Sequence, residues 1–239
     1  MEPADTVTKN DSSDLLHQHR RDAAQASGGI SAESDYEAIF GIIAAQGIHG
    51  RTLDFGAGVG NVASHLRGCP VTQVVATDIT DRPVGLPTDI EWIQADLNSP
   101  LPLPDRIFDA IVSIEVIEHL ENPRAVFREF RRLLKPGDRV VLTTPNQESI
   151  RSLSALLLTG HFSAFISEES YSRGHITALL RRDFQRICRE TGFGPPSFFY
   201  TDAGRIPKMT QWSWQQLSFG WLRGRLFSDR LIVSTQYDG

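Results

Sequence analysis

Apolar residues follow two alternating rhythms along this chain. Short runs of branched and aromatic residues alternate with longer stretches in which apolar positions recur every three or four residues. From residue 35 "DYEAIFGIIAAQ" predicts a helix, "RTLDFGAG" a strand, "NVASHLRG" a helix and "TQVVATDI" a second strand. "DIEWIQADL" holds a third strand, and "FDAIVSIEV" is almost unbroken apolar, as expected of a strand covered on both faces. "ENPRAVFREFRRLLKPGD" predicts the clearest helix. Asn122 can cap it, Pro123 suits its first turn, Val126, Phe130, Leu133 and Leu134 share a face, and Pro136-Gly137 stop it. "DRVVLTTPN" predicts a strand, and "DFQRICRETGF" a helix with Phe184, Ile187 and Cys188 inward and Gly192 at its end. "PSFFYTD" and "DRLIVSTQY" predict two late strands. Such alternation predicts an α/β fold with a doubly wound, largely parallel sheet and helices on both faces.

Two stretches interrupt the alternation, about residues 147–180 and 204–228, and both read as lid insertions in the C-terminal half. Residues 1–30 are polar and poor in branched apolar residues, and predict a flexible tail, part of which can order over a ligand. Residues 31–239 are then the folded domain. The 239 residues carry a formal net charge of −5, which argues against a broad surface for duplex nucleic acid. Two distant cysteines form neither a disulfide framework nor a thiolate metal site. With an acidic, polar N-terminus and no long apolar run, the expected compartment is the cytoplasm.

The chemistry begins in "LDFGAGVGNVASHL". A glycine turn between strand and helix lets a ligand approach the backbone, where free N–H groups and a partial positive charge await it. Gly56, Gly58 and Gly60 are spaced G-x-G-x-G; a dinucleotide fingerprint would need a glycine where Asn61 stands. Asp54 in front of the turn would repel a pyrophosphate, by about 1 kcal/mol per charge pair at ~4 Å in water and more when buried. It would attract an ammonium and sulfonium, as in S-adenosylmethionine. Asp78, with Ile79 after it, ends the second strand 24 residues on and suits a ribose diol. Asp96 suits an adenine amine, with Leu97 offering its N–H to the ring. Each acid alone would also serve as a plain turn residue; three around one glycine turn point to a ligand.

These segments, with "VVATDI", "QADL", "FDAIVSIEVIEHLENP" and "LLKPGDRVVLTTPN", resemble class I S-adenosylmethionine-dependent methyltransferases of the small-molecule O-methyltransferase type, over about residues 35–200. The resemblance implies a Rossmann-like seven-stranded sheet with one antiparallel strand near its edge. It implies that Asp54, Gly56, Gly58, Asp78, Asp96 and Leu97 contact the cofactor and that Phe55 and Ala57 lend backbone. Ser113 and Ile114 would border its methionine end. One departure stands out: "TDRPVGLPT" reads as a loop where the family has a helix.

Methyl transfer from a sulfonium is an in-line displacement that needs an aligned nucleophile and removal of its proton. In "SIEVIEHL" a helical turn would make Glu115 and His119 i,i+4 neighbours, with His119 as base and Glu115 orienting it. His175 in "RGHITALL" is a second candidate base, or a helix-entry cap. Glu118 and His119 can also be read as structural hydrogen-bonding groups. No metal is favoured. The alternative is a divalent cation on Glu115, Glu118, His119 and His175, since the E-x-x-E-H spacing is similar to that of small-RNA 3′-end 2′-O-methyltransferases and ubiquinone-pathway O-methyltransferases.

"SIRSLSALLLTGHFSAFI" predicts a helix and turn, with Ile150, Leu153, Leu157 and Leu158 on one broad side. If "RIPKMTQWSWQQLSFGWLRGRLF" is helical, Trp212 and Phe219 share one face and Trp214 and Trp221 the opposite one. Arg205, Lys208, Arg223, Arg225 and Arg230 flank these aromatics. Such a segment suits a lid, a bound acceptor, a partner subunit or a peripheral membrane contact. The insertion and its "GH" and "TGF" segments also look like methyltransferases of polysaccharide and glycolipid pathways. The expected activity is S-adenosylmethionine-dependent O-methylation of a small-molecule, sugar or lipid-linked acceptor. Metal-assisted RNA 2′-O-methylation and a non-catalytic cofactor-binding module are the rivals.

Overall fold

The computed structural model describes residues 18, 20–22, 24, 33–165 and 174–239. The predicted flexible tail, residues 1–30, lies outside the described residues except for Gln18, Arg20, Arg21, Asp22 and Ala24. The elements run α1 (Glu33–Ala45), β1 (Gly50–Phe55), α2 (Asn61–Leu66), β2 (Val71–Asp78), β3 (Glu91–Gln94) and β4 (Phe108–Ile114). They continue with α3 (Pro123–Leu133), β5 (Leu134–Pro145), α4 (Ile150–Thr159), α5 (Arg181–Thr191) and β6 (Ser197–Tyr200). A hairpin of β7 (Arg205–Ile206) and β8 (Met209–Ser213), one turn α6 (Trp214–Leu217) and β9 (Arg230–Gln236) complete the chain.

Seven strands form one sheet in the order β3-β2-β1-β4-β5-β9-β6, with β9 antiparallel to both neighbours and the other pairs parallel. This is the predicted doubly wound sheet with one antiparallel strand next to an edge. Period-two alternation sorts its side chains into two cores. Leu53, Phe55, Val75, Ile111, Val140 and Leu142 face α3 and α5 with Phe127, Phe130 and Phe184. Val74, Ala76, Ala110, Val112 and Val141 face α1 and α2 with Ile39, Ile43, Val62 and Leu66. Phe130 stands edge-on to Phe55 at 4.9 Å between ring centres, so its truncation to alanine would cost about 3–5 kcal/mol.

Several predicted details hold. Asn122 caps α3 by accepting from the Ala125 N–H at 3.1 Å, Gly192 ends α5 in the left-handed region, and Asp81–Thr88 is irregular. Three do not. The helix α3 ends at Leu133, and Leu134, Pro136 and Gly137 lie in β5, where the register shifts opposite Phe108–Ala110. The pairing demand of β4 begins the strand before the Pro-Gly signal is reached. Helix α4 does form, but Leu153, Leu157 and Leu158 are exposed and its buried residue is Ser152. The Trp-rich segment is a hairpin and one helical turn rather than a long helix. Pro207 and Lys208 (φ +62) make its corner, and Gly220 and Gly224 at positive φ bar helix continuation. The two opposed aromatic faces therefore do not exist; the Trp214 ring instead packs edge-on against Phe227 at 5.6 Å.

Candidate active site

The carboxyl ends of β1 and β4 flank the point where strand order reverses, the usual crevice of an open α/β sheet. The turn after β1 hangs from β2: the N–H groups of Gly56 and Ala57 both donate to the Thr77 carbonyl at 2.9 Å. Gly56 has φ +86, and a Cβ there would stand 2.3 Å from Val116 Cγ2, so this position excludes a side chain for two reasons. The Gly58 N–H donates to Asp78 Oδ2 at 2.9 Å, while Thr80 donates to Oδ1 from its amide (3.0 Å) and hydroxyl (2.9 Å). Asp78 thus braces the turn whose ligand it was predicted to share.

Asp54 is completely buried, and neither carboxylate oxygen has a hydrogen bond of normal geometry. Burial above all, and then the charge of Asp78, push it up to about 8, with the Ala63 amide pulling the other way. Phe55, Ala57, Ile79, Leu97, Ser113 and Ile114 are all buried around the strand ends. Asp96 lies two residues beyond β3 rather than at its end; it accepts from the Asn98 amide at 3.0 Å and from Arg20. Burial raises its pKa, but the Asn98 and Arg20 donors outweigh burial and hold it below the usual carboxylate range. Arg20 also donates to Glu121 at 2.6 Å, which brings a residue of the predicted tail to Asp96.

The segment after β4 differs from the predicted helical turn. Glu115 has φ +55, and only Ile117–His119 form a 3-10 turn, so the i,i+4 pairing of Glu115 with His119 does not arise. Glu115 instead accepts from the Thr143 hydroxyl at 2.9 Å and faces Arg230 Nε at 3.2 Å. Burial pushes Glu115 upward against the Thr143 hydrogen bond, and pushes Arg230 down to about 10. Glu118 is completely buried; Oε2 accepts from Thr144 at 3.1 Å and Oε1 has no hydrogen bond. Burial first and the charge of Glu115 second push Glu118 well above the carboxylate range.

His175 reaches this place by a main-chain strap. The Glu118 carbonyl accepts from the amides of Ile176 and Thr177, both at 2.9 Å, and Thr177 Oγ1 donates to the Leu120 carbonyl at 2.7 Å. The His119 and His175 rings meet edge to face at 4.7 Å, and His175 Nδ1 lies 2.9 Å from the Ala164 carbonyl. With Nδ1 donating there, Nε2 carries the lone pair. His175 is not a cap, since Leu180 precedes α5. Among the described residues, Glu118, His119 and His175 bring one ligand atom each within 4.8 Å of one another, without Glu115. A shallow cleft of about 490 Å³ lined by Ile42, Phe198, Phe199, Tyr200, Asp202, Arg223 and Gly224 includes none of these groups.

Sequence reasoning missed Thr143, Thr144 and Arg230 as neighbours of the acids. The pairing that brings them together, β5 against β9 with Pro145 opposite Arg230, spans 85 residues and leaves no local mark. Arg20 was hidden for the same reason.

A methyltransferase-domain family model matches residues 19–195. The sterol 24-C-methyltransferase of Gibberella zeae is 34% identical over 97 residues, covering 36% of this chain and 25% of that protein. A ubiquinone/menaquinone biosynthesis C-methyltransferase of Pseudomonas putida is 34% identical over 105 residues, covering 38% and 40%. The chain thus matches well under half the length of either curated relative. The structure of Burkholderia thailandensis 1,6-didemethyltoxoflavin-N1-methyltransferase with bound S-adenosylhomocysteine superposes with a TM-score of 0.62 at 13% identity, over 100% of this chain and 94% of that one, a likeness of fold. With the family model spanning most of the folded domain and the strand order in place, the chain belongs to the methyltransferase-domain family, the class I S-adenosylmethionine-dependent methyltransferases.

Proposed function

We propose that this chain transfers the methyl group of S-adenosylmethionine to an oxygen nucleophile on a small-molecule, sugar or lipid-linked acceptor held over the carboxyl edge of β4 and β5. The observation that carries the reading is the meeting of His119 and His175, from distant parts of the chain, beside the end of β4. Two features fit the cofactor. Asp54 is a buried acid with no hydrogen bond of normal geometry, and a cation above the turn would favour its ionised form; Gly56 keeps open a cradle that a Cβ would fill. In this reading Asp78 takes the ribose, Asp96 and Leu97 the adenine, and Phe55, Ala57, Gly58, Ile79, Ser113 and Ile114 line the site.

The bound cofactor supplies an electrophilic methyl group on a positively charged sulfur. The chain's part is alignment and proton removal. A histidine Nε2 takes the acceptor's proton as its oxygen bonds to carbon and the carbon–sulfur bond breaks, leaving a neutral thioether and an imidazolium. Buried Glu118 stands beside the two rings, where an imidazolium would favour its ionised form. The relatives' names specify carbon and nitrogen acceptors, so the oxygen acceptor rests on the histidine pair alone. The two cysteines, free in the structure, suit a reducing, cytoplasmic setting.

A second reading has one observation behind it. Glu118, His119 and His175 form a carboxylate–bis-imidazole set of metal-binding dimensions, and Glu118 Oε1 has no hydrogen bond. A divalent cation there would orient the nucleophile. Chelator followed by magnesium or manganese titration separates the two: the base reading expects unchanged turnover, the metal reading loss and recovery.

The test uses methyl-labelled S-adenosylmethionine and an extract from cells lacking the protein, with products split into organic, small aqueous and nucleic-acid fractions. Label in the organic or small aqueous fraction supports the reading. Label on RNA supports the metal-assisted alternative instead, and cofactor binding without any transfer supports a non-catalytic module.

A further inference from the structure

The two C-terminal insertions leave the sheet at a single corner. Helix α4 follows the end of β5 at Pro145, the hairpin and α6 lead into Arg230 at the start of β9, and Pro145 and Arg230 are register partners. Cross-links fasten the two together. Asn146 Nδ2 donates to the carbonyls of Arg225 (2.7 Å) and Ser228 (2.8 Å), and Arg151 pairs with Asp229 at 3.0 Å. Glu115 and Arg230 tie this corner to the candidate active site.

What the corner shows to solvent is unusual. Helix α4 is inside out: its buried residue is Ser152, bonded to Gln147, while Leu157 is 86% and Leu158 72% exposed. In the second insertion Phe219 is 94% and Trp221 88% exposed, on turns made by Gly220 and Gly224. Phe219 also takes φ +50, a backbone region that bulky residues avoid, without burying its ring in return. Single exposed apolar residues are ordinary; a run of large ones on two fastened segments marks a surface that meets something.

Charge identifies what it meets. Between Ala203 and Ser228 there are four cations, Arg205, Lys208, Arg223 and Arg225, and no Asp or Glu, in a chain whose net charge is −5; of the four, Arg225 lies 3.9 Å from Glu148. The first insertion, residues 147–180, carries Glu148, Glu168 and Glu169 against Arg151 and Arg173, so the excess of cations belongs to the second. A second copy of the chain would bring the same cations face to face across a two-fold axis, and like charges there repel. Aromatic rings that project from tight turns, rather than line a groove, beside arginine and lysine are the chemistry of an interface with anionic lipid headgroups.

We infer that these two insertions form one docking surface for an anionic lipid bilayer, which brings the carboxyl-edge site to the membrane and so presents it with membrane-held acceptors. The clause about acceptors rests on the methyltransferase reading above; the docking surface does not. No described helix is long and apolar enough to cross a membrane.

The experiment is co-sedimentation of the full chain with phosphatidylcholine vesicles, with and without phosphatidylglycerol, together with tryptophan emission. The wild type is expected to pellet with the anionic vesicles, with emission shifted to shorter wavelength, and to stay in the supernatant with the neutral ones. Phe219→Ser/Trp221→Ser and Lys208→Glu/Arg223→Glu should each weaken binding at least tenfold. The melting temperature of the aromatic double variant should stay that of the wild type, since both side chains are exposed. Absence of vesicle binding overturns the inference. So does binding that both double variants retain, or a wild-type dimer in solution that the aromatic double variant abolishes. S-Adenosylmethionine binding measured on the same preparations separates the two claims: cofactor binding without vesicle binding sinks the surface alone, and vesicle binding without cofactor binding upholds it while sinking the enzymatic reading.

Discussion

At the β1–β2 end of the carboxyl edge, the partners of each polar group are near strand-end neighbours. Asp78 holds Gly58 across adjacent strands and Thr80 two residues on, and the turn hangs from Thr77. At the β4–β5–β9 end, the partners come from far apart: Glu115 meets Arg230, and Glu118 carries the strap that seats His175. The first end is a preformed cradle written in one short motif. The second is assembled by the finished sheet, and the chemistry proposed here depends on it. Family membership follows from residues 19–195 as a whole, whereas the proposed acceptor and chemistry depend on the second end.

The largest expected effect is at the cradle. Gly56→Ala puts a Cβ against Val116 at a φ that alanine resists, with overpacking and backbone strain together costing about 2–6 kcal/mol. Cofactor binding measured by calorimetry should be lost. Adding Val116→Ala should restore part of it, because the clash goes and the strain remains. Full binding by the single variant would show that the turn does not approach its ligand closely.

Next comes the assembled end. His119→Ala/His175→Ala should lower kcat by about 10²–10⁴-fold while leaving cofactor affinity unchanged, which separates the two ends cleanly. Equal loss of both would merge them into one structural unit.

Arg230→Met should destabilise the fold by about 2–3 kcal/mol at pH 8, less than for a fully buried pair because both side chains keep some exposure. The sign follows from Glu115. Without the cation its folded-state pKa rises further above its unfolded value, so the penalty is small near pH 5 and grows as pH rises. Thermal melts across that range read the slope, and Glu115→Gln in the same chain should flatten it.

The smallest effect marks what neither end needs. Leu157→Ser and Phe219→Ser should shift unfolding free energy by no more than about 0.5 kcal/mol in denaturant titrations, since both side chains face solvent. A larger loss would mean that they pack within the folded chain.

The order of elements was legible because each strand and helix carries its own period. Leu53 and Phe55 alternate with their neighbours, and Phe184, Ile187 and Cys188 return on one face of α5. The glycine turn was legible because its constraint is local. Glu115 was misread because a left-handed residue ends the strand where helical spacing was assumed. The Trp-rich segment was misread because heptad spacing recurs by chance in a stretch whose Pro207 and glycines decide its path. Arg230 and His175 could be named as chemistry but not located, since sheet pairing and a main-chain strap carry them to the site.

The central claim is that the β1 turn with its buried acid serves a cationic sulfonium cofactor. The most direct test is calorimetric titration of the wild type with S-adenosylmethionine and with NAD, at pH 6 and pH 8. Asp54 keeps its proton in the unliganded fold up to about pH 8. Its folded-state pKa lies above the unfolded value near ~3.9, so the unliganded protein loses stability as pH rises from about 4 to about 8. A cationic ligand favours the ionised form, so binding releases a proton and tightens with pH up to about 8. The account expects S-adenosylmethionine to bind more tightly at pH 8 than at pH 6, with Asp54→Asn abolishing the difference, and NAD not to bind. Binding of NAD, or no binding of S-adenosylmethionine at either pH, would contradict it.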